Sequence, residues 1–456
     1  MPEIQAATER KADSTARPGL VALLLFLLCL GCYLANGRTL PFAFGGDTLP
    51  NRLVPFSILG FGTLTLDPFR EDFEQAGGYH WYIKERGGHL VSFYPIGTPL
   101  VALPFYVPVY LYLWATGRAD HASLFQYSEP AEKWAAAAMA ALSVSLFYLT
   151  VRRRVGHHTA VWSAVAFGLG SLVWATASQV LWQHGAVVLT LVLALFFLTW
   201  GERPTWSAAG SGFALALGLV TRPGMTAFYL AGLACQVLAP TNTIRARLLK
   251  IVAFLAAGAP ILLFDAVYGG AFYNSSLVGY TARQLQYFRP AKILLGLAGV
   301  LVSPNRGLFV FTPLALLGVY GLVRGCRRSI RERDPLFPLL GLATAAQLLA
   351  VASYGRWAGG WTFGPRYLVD ILPVLGLAAA DAWASLGPLW KRLSAVALVW
   401  SILVQLNGAF CYPASNWNAR AGKNLERQAW SFSHFELWED FRAWLAMDGI
   451  AAPWRA

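Results

Sequence analysis

Apolar runs long enough to cross a lipid bilayer recur along most of this chain. They fall at about 19–35, 134–151, 159–177, 185–200, 207–221, 225–240, 249–268, 307–324, 336–352, 366–387 and 393–411. A water-soluble chain of 456 residues has no interior large enough for so many unbroken runs, whereas a helix in hydrocarbon satisfies its own backbone and needs only apolar side chains. The expected fold is therefore all-α: a polytopic transmembrane bundle of about 11 spans. The division that follows is a cytoplasmic tail at 1–18, a membrane domain at 19–411 with a long first loop at 36–97, and a C-terminal tail at 412–456.

Charge patterning orients the bundle. The formal net charge is +13, but the basic residues are dispersed into short clusters between apolar runs, which encodes topology and argues against a nucleic-acid partner. With the N-terminus inside, Arg152, Arg153 and Arg154, then Arg203, then Arg245, Arg247 and Lys250, then Arg324 to Arg333, then Lys391 and Arg392 all fall on the cytoplasmic side. This parity requires residues 98–116, broken by Pro99, Pro104 and Pro108, to be a non-spanning helix on the outer side, with carrying juxtamembrane helices expected in the same loop. Residues 294–302 are too short to span. The five cysteines are scattered and mostly apolar in setting, so neither a disulfide framework nor a metal knuckle is implied.

The long, chemically varied loops then share the outer face. The most unusual is 354–368, Tyr-Gly-Arg-Trp-Ala-Gly-Gly-Trp-Thr-Phe-Gly-Pro-Arg-Tyr-Leu. It sets Arg356 and Arg366 among Trp357, Trp361, Phe363 and Tyr367, with glycines that let backbone approach a ligand. Arg222 in Thr-Arg-Pro and Arg306 in Ser-Pro-Asn-Arg-Gly stand at other mouths of apolar runs; exposed amides beside Arg306 would make a phosphate cradle. His184, in Gln-His-Gly, is either a satisfied structural histidine or a ligand contact. The first outer loop carries Asp47 in a glycine turn, Arg52, Asp67 before Pro68, and Tyr94. An aspartate just outside the first span is placed to act as a base; a helix cap or Asx turn is the plain alternative. No nucleotide-binding, zinc or nucleophile-elbow pattern occurs.

These residues resemble the large membrane glycosyltransferases of the GT-C class, and in particular bacterial relatives of protein O-mannosyltransferases and aminoarabinose transferases. The resemblance rests on the acid-bearing loop after the first span (Asp47), on Tyr94-Pro95-Ile96-Gly97-Thr98-Pro99, and on Gly364-Pro365-Arg366-Tyr367. It implies an inverting transferase that moves a sugar from a polyprenyl-phosphate carrier to a glycolipid, glycan or protein acceptor, at the outer (periplasmic) face of a bacterial inner membrane. It also implies Asp47 as the base, with Asp67 as runner-up because Thr48 follows Asp47 where many relatives have glutamate. The phosphate is then expected on Arg222, Arg306, Arg356 and Arg366, with Arg52, Tyr94, His184, Trp361 and Tyr367 also meeting substrate. No cofactor and no obligatory metal are expected. A transporter or flippase of lipid-linked intermediates is the rival reading. Convergence of Asp47 and the outer arginines on one cavity would favour the enzyme; a path through the bundle would favour the transporter.

Overall fold

The computed structural model describes residues 17–36, 48–75, 78, 81–200, 204–238, 240, 243–272, 275–412, 417–418 and 424–446. The chain is a helical bundle. Helix α1 (Pro18–Leu34) opens with proline in its first turn, where the missing N–H costs nothing. After α2 (Leu49–Phe61), which ends on a left-handed Gly62, come α3 (Arg70–Gln75) and a two-stranded antiparallel hairpin, β1 (Ile83–Arg86) with β2 (His89–Ser92). The first loop thus carries a short helix and a hairpin, and α2 is buried along most of its length.

Residues 98–116, expected not to span, form α4 (Gly97–Ala115), whose 19 residues are long and apolar enough to cross a membrane. Pro104 and Pro108 remain within it, as helices in a packed bundle allow when neighbours support the freed backbone groups. Next are α5 (His121–Arg152), α6 (His157–Leu169), α7 (Gln183–Leu198), α8 (Thr205–Thr221), α9 (Thr226–Leu238) and α10 (Ile244–Ala271). The chain continues through α11 (Leu277–Leu285), α12 (Ile293–Val302), α13 (Ala315–Glu332), α14 (Leu336–Ser353), α15 (Leu372–Trp383), α16 (Pro388–Leu406) and α17 (Glu436–Ala446). Among the described residues, five helices have spanning length, α4, α5, α10, α14 and 388–411, and shorter apolar helices accompany them. Several expected runs are subdivided: 159–177 becomes α6 plus a π-helical turn at Val173–Ala177, and 366–387 becomes a 3-10 turn at Arg366–Ile371 plus α15.

Two cores hold the bundle. The larger one joins α1, α5, α6, α7, α8, α15 and the loop around Trp357 and Phe363. The second packs α2, the hairpin and α4 against the first half of α5 through Leu53, Phe56, Phe69, Phe73 and Tyr106. Close helix approach needs small residues: a Cβ on Gly212 would overlap the backbone of Phe254 across α8 and α10, and one on Gly321 that of Ala378 across α13 and α15. Large apolar side chains elsewhere, such as Leu24, Leu263 and Leu294, face outward, as lipid-facing positions do.

Candidate active site at one end of the bundle

The first turn of α7 carries His184. Helix α7 is 16 residues long, roughly 24 Å at the standard rise, and its far end carries Phe196 and Trp200, against which the Arg153 guanidinium packs at 3.8 and 3.9 Å. There Arg154 and Arg328 both pair with Asp381. The basic clusters and His184 therefore mark opposite ends of the bundle.

At the His184 end, four polar side chains meet. Arg222 precedes Pro223, and the steric rule for residues before proline forces it out of α8 into an extended conformation (φ −155°, ψ 130°). This turns its side chain back toward α7. His184 Nδ1 lies 2.7 Å from Asp370 Oδ1, and Arg222 Nη1 lies 2.8 Å from His184 Nε2. Arg222 Nε lies 3.2 Å from Asp370 Oδ2, and Gln347 donates to the same oxygen at 3.3 Å. The arrangement suits the histidine tautomer that donates from Nδ1 to the carboxylate and offers Nε2 to the guanidinium. His184 and Asp370 are almost fully buried, while the Arg222 side chain keeps 15% of its surface. Arg222 is thus anchored from behind with one side still reachable.

Arg366 joins this group. Gly359 and Gly360 take left-handed φ of 89° and 71°, which only glycine adopts at little cost. The loop turns back there, and Pro365 leads into the 3-10 turn that bears Arg366, Tyr367 and Asp370. The Arg366 guanidinium sits 5.1 Å from the Trp182 ring and 5.3 Å from Tyr367, and Arg222 is 5.3 Å from the same tyrosine. Tyr367 continues to Tyr354, Tyr354 to Tyr287, and the exposed Arg356 lies 4.4 Å above Tyr287. A second run of rings leads through Tyr280 to Tyr94 and Phe93, where Arg283 lies 3.8 Å from the Phe93 ring. Burial pushes the Tyr280 phenol up to about 12 even though Arg222, Arg366 and Arg283 pull it down. Tyr280 therefore lies in the field of three guanidinium groups.

Across the 178–183 turn lies an acidic counterpart. Glu132, on α5, accepts from the Leu181 amide at 2.8 Å and holds Arg52 at 3.4 Å. Thr48 also hydrogen-bonds Glu132, and the neighbouring Lys133 donates to Gln179 at 2.7 Å. Asp47, the expected base, lies outside the described residues.

Other expectations place differently. Arg306 is not at the cation cluster. It is fully buried, with Nε donating to Ala358 O at 2.9 Å, Nη2 to Asn418 Oδ1 at 2.7 Å and Nη1 to Glu436, and it lies 4.7 Å from the Trp417 ring. Its donors serve the fold, so the phosphate-cradle expectation for Arg306 is corrected. The adjacent Asn305 donates to the carbonyls of Gln428, Ser431 and His434 and accepts from the Glu436 amide. The described part of the C-terminal segment is consequently tied to the loop: Asn418 donates to Thr362 O at 3.2 Å, and Glu436 accepts from the Gly364 amide.

Trp357 and Phe363, the other two apolar rings of the 354–368 loop, are buried core residues; Trp361 is 56% exposed. Asp67 is committed to the hairpin. It accepts from Leu90 N at 2.7 Å and Thr65 Oγ1 at 2.8 Å, lies 2.6 Å from His89 Nδ1 and pairs with Arg70. Burial raises its pKa, but the contacts with Leu90, His89 and Thr65 outweigh that and hold it below the usual range. A carboxylate so well satisfied is a poor base, which corrects its runner-up role. The sequence reading missed Asp370, Glu132, Arg283, Tyr280 and Gln347.

No protein-family model matches the chain, and no curated protein matches it by sequence. Its fold does match solved structures. ArnT from Cupriavidus metallidurans bound to undecaprenyl phosphate aligns with a TM-score of 0.51 at 15% identity, over 95% of this chain and 78% of that one. The Archaeoglobus fulgidus oligosaccharyltransferase tethered to an acceptor peptide gives 0.49 at 12% identity, over 92% and 59%. The same organism's AglB with an inhibitory peptide and a dolichol-phosphate gives 0.48 at 12%, over 92% and 59%. The chain has the membrane-bundle fold of ArnT, and its resemblance to the GT-C glycosyltransferases holds at the level of the fold.

Proposed function

We propose that this protein is a glycosyltransferase that moves a sugar from a polyprenyl-phosphate carrier to an envelope acceptor. The observation that carries the reading is the convergence of Arg222 and Arg366 on Tyr367, backed by His184 and Asp370, in a chain with the ArnT fold. A polyprenyl-phosphosugar carries one negative charge. When its glycosidic bond breaks, the departing phosphate gains a second. Guanidinium groups fixed at that oxygen bind the transition state better than the ground state, which is what lowers the barrier. Arg222 is pre-oriented by Asp370, so little reorganisation accompanies the charge development. Arginine also keeps its charge at a membrane boundary and grips phosphate through a fork.

Asp47 is the base in this reading: it takes the acceptor's proton as the hydroxyl attacks the anomeric carbon from the face opposite the phosphate, giving inversion. Glu132 holds Arg52, which follows Asp47 by five positions in the chain. Arg356 and Trp361 stand exposed on the same loop as Arg366. The basic clusters at the far end of the bundle support an active site on the non-cytoplasmic face of a bacterial inner membrane. The acceptor is a glycolipid, glycan or protein of the envelope.

The test is binding of undecaprenyl phosphate to the chain purified in nanodiscs. Each charge-assisted contact contributes roughly 1.5–3 kcal/mol. Arg222→Gln or Arg366→Gln should thus weaken binding by about tenfold or more. Equal binding by wild type and both glutamine variants would remove the reading. Specific binding without sugar transfer in membranes that supply lipid-linked sugars would favour a carrier-handling transporter.

A further inference from the structure

The aromatic run that leaves the cation cluster ends on an unusual residue. Trp81 is 58% exposed, yet three rings hold it edge-on: Tyr82 at 5.7 Å, Phe93 at 5.4 Å and Tyr94 at 6.2 Å. Phe93 and Tyr94 then meet Tyr280 at 6.3 and 6.2 Å, and Tyr280 lies in the field of Arg222 and Arg366. A ridge of rings thus runs from Tyr280, which feels the charge of those arginines, to an open indole beside the hairpin. The β1–β2 register and the helical turn behind it fix that hairpin: Leu90 and Tyr82 are buried, and Arg70 ties to the Gly88 carbonyl. An exposed indole on a stiff support is otherwise a cost to the free protein, because its apolar face stands in water.

Positive charge lines the same ridge. Lys84 Nζ is 5.8 Å from the Phe93 ring centroid, and the Arg283 guanidinium is 3.8 Å from the same ring while its Nη2 donates to Phe93 O. Arg86 follows on the strand, close enough to act on Arg283. Burial presses Arg283 below its ordinary range, and the charge of Arg86 adds to this against the opposing pull of Tyr280. The nearest acid on the strand, Glu85, faces Arg70 at 3.5 Å. Flat apolar rings suit the C–H faces of a sugar, and the crowded cations suit negative groups on it. A neutral peptide would use the rings and leave the cations crowded; a bare anion would leave the rings in water.

We propose that the ridge from Tyr280 through Phe93 and Tyr94 to Trp81 is a binding track for an anionic saccharide, which serves as the acceptor. The acceptor role rests on the glycosyltransferase reading above; the saccharide site does not. Trp81 stacks on a sugar ring remote from the reaction, Lys84, Arg86 and Arg283 meet its acidic groups, and Tyr94, backed by the buried Tyr280, guides the hydroxyl-bearing end toward the arginine cluster.

The full chain in nanodiscs is titrated calorimetrically with tetragalacturonate, maltotetraose and inorganic phosphate. The expected result is saturable binding of tetragalacturonate at least about tenfold tighter than of the other two, with a further loss of about tenfold in Trp81→Ala and in the Lys84→Gln, Arg86→Gln double variant. Undecaprenyl phosphate affinity, measured on the same preparations, stays unchanged in both variants and shows that they are folded. The proposal falls if tetragalacturonate does not saturate, if both variants bind it as the wild type does, or if phosphate alone binds as well. It also falls if brominated lipids quench Trp81 fluorescence, because the ridge then lies in the bilayer. Loss of undecaprenyl phosphate binding by the wild type, with saccharide binding intact, would count against the donor reading alone.

Discussion

Arg222 and Asp370, which are 148 positions apart in the chain, face each other at 3.2 Å beneath the ring of Tyr367. The carboxylate is buried and also receives His184 and Gln347. It aims the guanidinium while leaving its outer side open. Removing one partner of a buried charge pair typically costs about 3–5 kcal/mol. Asp370→Ala should therefore lower the unfolding free energy in detergent by about that much, and chemical denaturation will show it. A loss below about 1 kcal/mol would mean that solvent already reaches the pair.

Arg366 separates affinity from turnover. Arg366→Lys keeps the charge but loses the planar fork, and the interaction strengthens as phosphate charge develops. Turnover is expected to drop about tenfold or more, with a smaller change in carrier affinity. An arginine that only anchors the loop to lipid headgroups would tolerate lysine in both measurements.

The two loop aspartates should part company. Asp47→Asn preserves shape and removes basicity, so transfer should collapse while undecaprenyl phosphate still binds. Asp67→Asn should loosen the hairpin and weaken acceptor binding, while turnover at saturating acceptor stays largely intact. Comparable turnover in both variants would reassign the base.

Asp67 also gives a pH signature. Its folded pKa is depressed against an unfolded value of about 3.9. Its stabilising effect is therefore fully present above pH 4 and is lost as pH falls through the folded value. Amide exchange at Leu90, corrected for intrinsic rates, should accelerate relative to the helices on acidification below about pH 4. The same acidification of Asp67→Asn should produce no such step.

The C-terminal segment should act on the loop it grips. Glu436→Gln weakens the partner of Arg306 and the acceptor for the Gly364 amide. Hydrogen exchange across 355–366 should rise, and turnover should fall with it. Phe441→Ala, on an outward-facing position of α17, serves as the control and should change neither. Unaltered exchange in Glu436→Gln would show that the loop holds its shape alone.

Much of the bundle was legible because apolar runs and basic clusters are local signals. His184, Arg222 and Arg366 were legible for the same reason: each is a polar residue interrupting the end of an apolar run. Asp370 was not, because Leu368-Val-Asp-Ile371 reads as part of a span and its partners lie on α7 and beyond α8. Glu132 and Lys133 sit inside a helix, and nothing in their own stretch announces the 178–183 turn that meets them. Arg283 looks like the charged side of a short amphipathic helix. Arg306 was misread because Ser-Pro-Asn-Arg-Gly has the same appearance whether its guanidinium faces a phosphate or Glu436, 130 positions later. The 98–116 stretch, expected not to span because of its three prolines, has the length and hydropathy of a spanning helix.

The clasp between Asn305, Arg306 and Glu436 sets an order of events during synthesis. The ribosome makes Arg306 long before Glu436 exists, so the growing chain holds a guanidinium at the bundle mouth with its eventual counter-charge still unmade. Burying it then would carry the penalty of a lone ion. Burial of Arg306, and with it the final packing of the loop that bears Arg366, is therefore expected to await the arrival of α17 with Glu436.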